Sequence, residues 1–214
     1  MDIMGTNISV SALVAPPSSR RRLLAVGALA WLSSGVSVFA TEGQKSLSRE
    51  MWLSVLSLPA IEVKQAKEDR PQAVVFFDPN CPYCAKLWAR LYAQNSAFMN
   101  VATRWVPVAY MNAQSSGMAA KLLSEPSRQA LAQNFDGFDF ARRQGGTAQA
   151  SVTLDVRAQL QRAQSVWSQL GGATPLIVYV TKDGTAKAQL GLMPEAAFMD
   201  MVHSWAPARL AEFK

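Results

Sequence analysis

The apolar and polar positions of this chain fall into short runs of two distinct periods. Ala73-Val74-Val75-Phe76-Phe77 and Leu176-Ile177-Val178-Tyr179-Val180 are unbroken apolar runs, rich in β-branched and aromatic residues. Runs this short and this apolar predict strands buried on both faces. Val101, Thr103 and Trp105 alternate with other residues and predict another strand, which Pro107 ends or places at a sheet edge. Lys182-Asp183-Gly184 predicts a hairpin turn into a partner strand over Ala186–Leu190. The remaining apolar positions repeat with helical spacing. Ser48 is a candidate N-cap, and Met51, Trp52, Val55 and Leu56 behind it predict a short helix before Pro59. From Pro82 to about Ala93, Cys84, Leu87, Trp88 and Leu91 share one helical face, with Lys86 and Arg90 off it. Met118–Leu123, Arg128–Phe135 and Leu154–Leu170 are helical, with the polar spacer Gln144-Gly145-Gly146-Thr147 among them and Gly171-Gly172 at the end. Phe198, Met201, Val202 and Trp205 predict a closing helix from Pro194 to Trp205. Residues 41–47 are polar and expected to be loose, and Lys64 to Pro71 is expected to be a charged surface connection.

The first forty residues follow a different logic. Ser19-Arg20-Arg21-Arg22 is a basic block, Leu23 to Leu32 a short apolar core, and Val38-Phe39-Ala40 places small residues where signal peptidase reads. This is the layout of an export signal cleaved after Ala40. The rival reading is an uncleaved anchor. Leu23 to Ala40 spans 18 residues, the lower edge of a bilayer crossing, and Ser33, Ser34, Gly35 and Ser37 weaken its second half. Ser19-Arg20-Arg21-Arg22-Leu23-Leu24 also resembles a twin-arginine signal, so both the Sec and the twin-arginine routes stay open. With the signal cleaved, no membrane span is expected in the remainder. Asp2 and the three arginines give the leader +2 of the net +6, leaving the rest mildly basic at +4. That charge is diffuse. No aromatic-interleaved basic stretch follows Arg22, so nucleic acid is not an expected partner.

The two cysteines of the chain stand together as Cys81-Pro82-Tyr83-Cys84, between a predicted strand and a predicted helix. A C-x-x-C pair in that setting reads as a redox dithiol of the thioredoxin type. A free thiol titrates at about 8.5 and is only a few per cent ionised at neutral pH. A helix N-terminus offers unpaired N–H groups and the positive end of the helix dipole, and both favour the thiolate. Cys81, expected to stand open at that end, is the candidate attacking sulfur. Cys84 points into the core and is the candidate resolving sulfur. Pro82 suits the first helical position, and Pro82-Tyr83 help set how well the thiolate is stabilised. Three plainer readings compete. A structural disulfide would close a loop too small to restrain much chain entropy. A zinc site needs about four ligands, and two cysteines with the single His203 do not supply them. An inert reduced pair fits neither the turn nor an oxidising compartment. No metal and no cofactor is expected.

Pro175 opens the strongest predicted strand, where a proline removes a ladder donor. Alone it reads as an ordinary trans-proline. Beside the Cys motif it reads as the cis-proline of a thioredoxin fold, placing the Thr174 backbone beside Cys81, where a substrate strand could pair. Asp78, before Pro79, reads as a turn residue. Val75 occupies the position, six before Cys81, where thioredoxin-like proteins often hold a buried acid, so the Cys84 proton needs water or another group. His203 reads as a surface or packing residue.

The element order is strand, active helix, strand, helical insert, strand, hairpin partner, helix. It predicts an α/β thioredoxin fold with an inserted helical subdomain. The expected divisions are a signal over 1–40, an N-terminal segment with a linker-like helix over 41–70, and a catalytic domain over 71–214, with its insertion at about 112–170. Phe77-Asp78-Pro79-Asn80-Cys81-Pro82-Tyr83-Cys84, with Lys86 and Trp88, resembles the active-site segment of the DsbC/DsbG group of periplasmic disulfide isomerases, the DsbG branch sharing its Cys-Pro-Tyr-Cys. Gly172-Ala173-Thr174-Pro175-Leu176-Ile177-Val178-Tyr179 resembles the Thr–cis-Pro segment of that group, and Leu190-Gly191-Leu192-Met193-Pro194 continues the similarity.

The resemblance covers about residues 48–205. It implies a periplasmic oxidoreductase kept reduced by a membrane reductant of the DsbD type, acting on misoxidised or oxidised cysteines of envelope proteins. The group has an N-terminal dimerisation domain, whereas about thirty residues separate Ala40 from Pro71 here, so a monomer is expected over the group's dimer. Three functions follow: a DsbG-like reductase or isomerase, a monomeric DsbA-like oxidant, and a chaperone-like accessory protein of an envelope assembly in which the dithiol is incidental.

Overall fold

A computed structural model describes residues 44–63, 71–93, 96, 98 and 101–206. The expected export signal and the charged connection over 64–70 lie outside the described residues. The rest builds one six-stranded mixed sheet with helices on both faces. Its strands are β1 (Gln44–Ser46), β2 (Ile61–Val63), β3 (Ala73–Phe77), β4 (Thr103–Pro107), β5 (Leu176–Val180) and β6 (Ala186–Leu190), in the order β1-β6-β5-β3-β4-β2. β3 pairs parallel with β4 and antiparallel with β5.

β3 is central, which explains its unbroken apolar run. Its residues alternate between two cores because successive side chains of a strand point to opposite faces. Ala73, Val75 and Phe77 face α2 (Pro82–Tyr92), α4 (Arg128–Asp136) and α6 (Glu195–Ser204), meeting Leu87, Trp88, Leu131, Phe135 and Phe198. Val74 and Phe76 face α1 (Arg49–Leu56) and α5 (Leu154–Gln169), meeting Trp52, Val55, Ala163 and Trp167. β5 divides in the same way, with Ile177 and Tyr179 on the first face and Leu176, Val178 and Val180 on the second. The helices between β4 and β5, α3 (Ser115–Ser124), α4 and α5, are tied into this scheme: α4 adds Leu131 and Phe135 to one core, and α5 adds Ala163 and Trp167 to the other. Ser48, Ser127 and Thr153 cap their helices by accepting the N–H of Met51, Ala130 and Val156, each replacing a hydrogen bond that a helix start lacks.

Two expectations change. Residues 44–46 are not loose but form β1, paired with β6 from Gln44↔Gln189 to Ser46↔Lys187. Ile61–Val63, expected inside an N-terminal linker segment, form β2 on the far side of β4, with Ile61 and Val63 buried. The N-terminal segment therefore belongs to the sheet and the core, and the division expected at residues 70–71 does not separate two packed units. A three-residue strand carries too little pattern to read, and its partners lie forty or more positions away. With β2 in place β4 is internal, and only Val106 and Pro107 extend beyond the residues that β2 pairs. Pro107 thus sits where one side of the strand is open, which a residue without a backbone donor tolerates.

Candidate active site

Asp78-Pro79-Asn80 carries the chain from the end of β3 to the start of α2, and all three residues are buried. A buried carboxylate is costly unless hydrogen bonds replace its water. Asp78 has four. Its Oδ1 accepts the Asn80 N–H at 2.8 Å and the Ser115 hydroxyl at 2.8 Å. Its Oδ2 accepts the N–H groups of Tyr110 at 2.8 Å and Met111 at 2.9 Å. The turn reading of Asp78 holds locally, through Asn80. The carboxylate also fastens the segment after β4 and the start of α3 to the dithiol loop. Asn80 extends the net, donating to Asn112 Oδ1 and Ser115 Oγ and accepting from the Gly145 N–H at 3.1 Å. Asn134 of α4 donates to the Pro79 carbonyl at 3.0 Å. A Cβ on Gly145 would lie 2.2 Å from Asn134 Oδ1 and 2.5 Å from the Pro79 carbonyl, so only glycine fits there.

Cys81 is the N-cap of α2, and its sulfur accepts the Cys84 N–H at 3.4 Å. Both cysteines are reduced. Pro82 follows as the first helical residue and Tyr83 projects outward, 52% exposed, with the Lys86 ammonium 5.4 Å from its ring centre. Cys84 is fully buried. The expectation that Cys81 stands open is corrected: it is 1% exposed, with the Thr174 carbonyl 3.5 Å from its sulfur. The Thr174–Pro175 peptide is cis. The structure thus brings Cys81, Pro82, Tyr83, Cys84, Thr174 and Pro175 to one place, although the last two lie over ninety positions from the first.

The two thiols are driven apart electrostatically. The Cys81 thiol is lowered from 9.0 to about 7, first by a hydrogen bond from Cys84 and then, against the opposing cost of burial, by Thr174 and the N–H groups of Cys84 and Tyr83. Cys84 is pushed well above 9.0 by burial, by its bond to Cys81 and by that sulfur's charge. Above about pH 7 Cys81 is therefore ionised while Cys84 keeps its proton. The arrangement holds a nucleophilic thiolate beside a thiol that keeps its proton, and the two together can carry out thiol–disulfide exchange.

Sequence reasoning missed the residues that hold the Thr174 wall. Tyr110 places its hydroxyl 2.6 Å from Thr174 Oγ1. Trp167 of α5 donates its indole N–H to the Ala173 carbonyl at 2.7 Å and stacks on Tyr110 with ring centres 4.7 Å apart. Neither residue belongs to a motif, and only the folded chain brings them to the site. Under the loop, Phe77, Trp88, Trp105 and Phe135 pack edge-on or tilted with centres 5.4–5.8 Å apart. His203 is exposed on α6. Among the described residues no group of three or more His, Cys, Asp or Glu could hold a metal ion, and no helix is long and apolar enough to cross a membrane.

Comparison with known proteins agrees with this architecture. A profile of the thioredoxin-like domain matches residues 59–205. The chain belongs to the thioredoxin-like family. Two curated relatives, from Pseudomonas aeruginosa and Escherichia coli, are each named thiol:disulfide interchange protein DsbG. Both are 28% identical over 152 residues, covering 68% and 67% of this chain. The matches span 56% and 57% of the relatives' own lengths, so the chain corresponds to little more than half of each. The catalytic domain of Proteus mirabilis ScsC matches with a TM-score of 0.52 at 17% identity, over 73% of this chain and 97% of that domain. ScsC in a transitional conformation gives 0.52 at 18% identity, over 74% and 80%. At such identities the likeness is one of fold.

Proposed function

We propose that the protein is an exported thiol–disulfide oxidoreductase of DsbG-like type, reducing or isomerising disulfides of envelope proteins through Cys81 and Cys84. The observation that carries this is the divided pair: a Cys81 thiol lowered to about 7, capped onto a helix N-terminus and facing Thr174, with a proton-holding Cys84 behind it.

The reaction runs in two steps. The Cys81 thiolate attacks one sulfur of a substrate disulfide. A mixed disulfide forms, and the other substrate sulfur leaves with the electron pair as a thiolate. Cys84 then gives up its proton and attacks Cys81, the Cys81–Cys84 bond forms, and the second substrate sulfur leaves as a thiolate. The substrate is reduced by two electrons and the dithiol is oxidised. A reductant of the DsbD type returns the two electrons. In isomerisation the substrate's own thiol attacks the mixed disulfide instead, and the dithiol ends reduced. Pro82 and Tyr83 tune the thiolate, while Thr174 and Pro175 form the wall against which a substrate strand lies. The periplasm as compartment, cysteine-containing envelope proteins as substrates and a monomeric state belong to the same reading.

The depth of the thiol's fall argues for reduction or isomerisation over strong oxidation. Stabilising the reduced thiolate makes a dithiol more oxidising, and the corresponding thiol titrates at about 7 in thioredoxin and about 3.5 in DsbA. A thiol at about 7 resembles the first. Equilibration with glutathione buffers tests this. The expected potential lies well below the DsbA value of roughly −120 mV, and a potential at or above that value would transfer the protein to the oxidant class.

A further inference from the structure

Between α5, the start of α3 and the segment after β4 lies a hollow of about 200 Å³, lined by Ala109, Ser116, Arg157, Leu160, Gln161 and Gln164. Sites for small molecules run to roughly 300–1,000 Å³, so this one has room for a single side chain. Its four α5 residues follow the spacing i, i+3, i+4, i+7 and share one helical stripe. The adjoining stripe, Leu160, Ala163 and Trp167, enters the core. The stripe on the hollow carries a guanidinium and two amides.

These polar groups are not occupied within the protein. Asp155 is the one acid of α5, and Gln159 donates to it at 2.7 Å. Gln169 donates to the Ser165 carbonyl. Among the described residues, Arg157, Gln161 and Gln164 have no ion pair and no side-chain hydrogen bond. A guanidinium and two amide NH2 groups are donors, and a carboxylate, which only accepts, is their natural complement.

The hollow adjoins the wall of the dithiol site. Ala109 immediately precedes Tyr110, whose hydroxyl meets Thr174, and Gln164 lies one helical turn before Trp167, which holds the Ala173 carbonyl. At 1.5 Å per residue, Arg157 stands about 15 Å along α5 from Trp167. An extended polypeptide crosses that distance in about four or five residues, and a long side chain shortens the path.

We propose that this hollow is a subsite for an acidic side chain of the substrate polypeptide, about three to five residues from the cysteine that Cys81 attacks. The proposal rests on the exchange reading given above. Arg157 pairs with the carboxylate, Gln161 and Gln164 donate to it, and Ala109 and Leu160 meet its methylenes. A substrate strand lying along Thr174 gains a second anchor there, so the hollow selects among polypeptides without taking part in the sulfur chemistry.

The test uses the reduced full chain and synthetic peptides whose single cysteine is blocked as a thiopyridyl disulfide, a neutral group. When Cys81 binds the peptide sulfur, thiopyridone leaves with the electron pair and its absorbance gives the second-order rate. Glu, Gln or Lys is placed at successive positions on either side of the cysteine. The expected result is that Glu exceeds Gln by about fivefold at a distance of about three to five residues on one side, near the upper end for an exposed ion pair, with Lys below both. Added salt should shrink the difference. Arg157→Gln is expected to bring the Glu and Gln peptides to equal rates. Arg162→Gln removes the same charge from the opposite face of α5 and is expected to keep the preference. A wild-type protein that treats Glu and Gln alike at every position overturns the subsite. So does a preference that survives Arg157→Gln, or one lost equally in Arg162→Gln, which would make it a matter of net charge. If Cys81→Ala releases thiopyridone as fast as the wild type, the exchange reading falls and the subsite with it.

Discussion

Removing the Cys84 thiol tests the electrostatic account of the site. The largest influence lowering Cys81 is the hydrogen bond from Cys84, ahead of Thr174 and the helix N–H groups. A hydrogen bond to a charged group is worth about 1.5–3 kcal/mol, or roughly one to two pH units at 1.36 kcal/mol each. Cys84→Ala should therefore raise the Cys81 thiol from about 7 to roughly 8 or above. Cys84→Ser, which keeps a donor, should recover part of the difference. The assay is the rate of Cys81 alkylation by iodoacetamide against pH. In the wild-type protein the rate rises tenfold per pH unit below about 7 and levels above it, because the thiolate is the reacting form.

Stability follows with a definite sign. The folded-state value lies below the ordinary 9.0, so ionisation stabilises the reduced protein by about 3 kcal/mol above pH 9, and this contribution is lost as pH falls through 7. Cys84→Ala should shrink it by about half or more. An alkylation midpoint that stays near 7 in Cys84→Ala would refute the reasoning and assign the stabilisation to the helix N-terminus alone.

Two further substitutions test the supports. Asp78→Asn puts an NH2 where two donors now find an oxygen, and loss of their charge-assisted bonds should cost about 3 kcal/mol or more, lowering the thermal midpoint by about 10 °C. An unchanged midpoint would mean that the four-bond net holds nothing. Trp167→Phe leaves the Ala173 carbonyl without its donor, at a cost of about 1–3 kcal/mol. The expected outcome is faster amide exchange at Ala173 and Thr174, read by hydrogen–deuterium mass spectrometry, and wild-type exchange there would contradict the clamp.

What the sequence made legible was whatever is written in local pattern. The buried strands β3 and β5 announce themselves because a strand covered on both faces has no polar alternation to hide in. Cys81 and Cys84 are readable because strand, turn, proline and helix are contiguous around them. Pro175 needed the Cys motif to acquire meaning, and the cis bond and the contact with Cys81 followed from the two together. β1 and β2 were not legible, because three residues carry no period and their identity as strands depends on distant partners. Tyr110, Trp167 and Asn134 were hidden for a related reason. Each acts through one hydrogen bond to a residue between six and sixty-four positions away, and no spacing in the sequence encodes such a bond. The reading of Cys81 as open failed although Thr174 was expected beside it, because how tightly that segment covers the sulfur depends on packing that no local pattern records.

The central claim is that Cys81 attacks and Cys84 resolves. Trapping in cells tests it most directly. A Cys84→Ala protein, with extracts handled above pH 8 to keep Cys81 ionised, should accumulate mixed disulfides joining Cys81 to other proteins, resolved by reducing agent and identified by mass spectrometry. Cys81→Ala should accumulate none. Absence of adducts on Cys81, or adducts forming equally on Cys84 in the Cys81→Ala protein, would contradict the account.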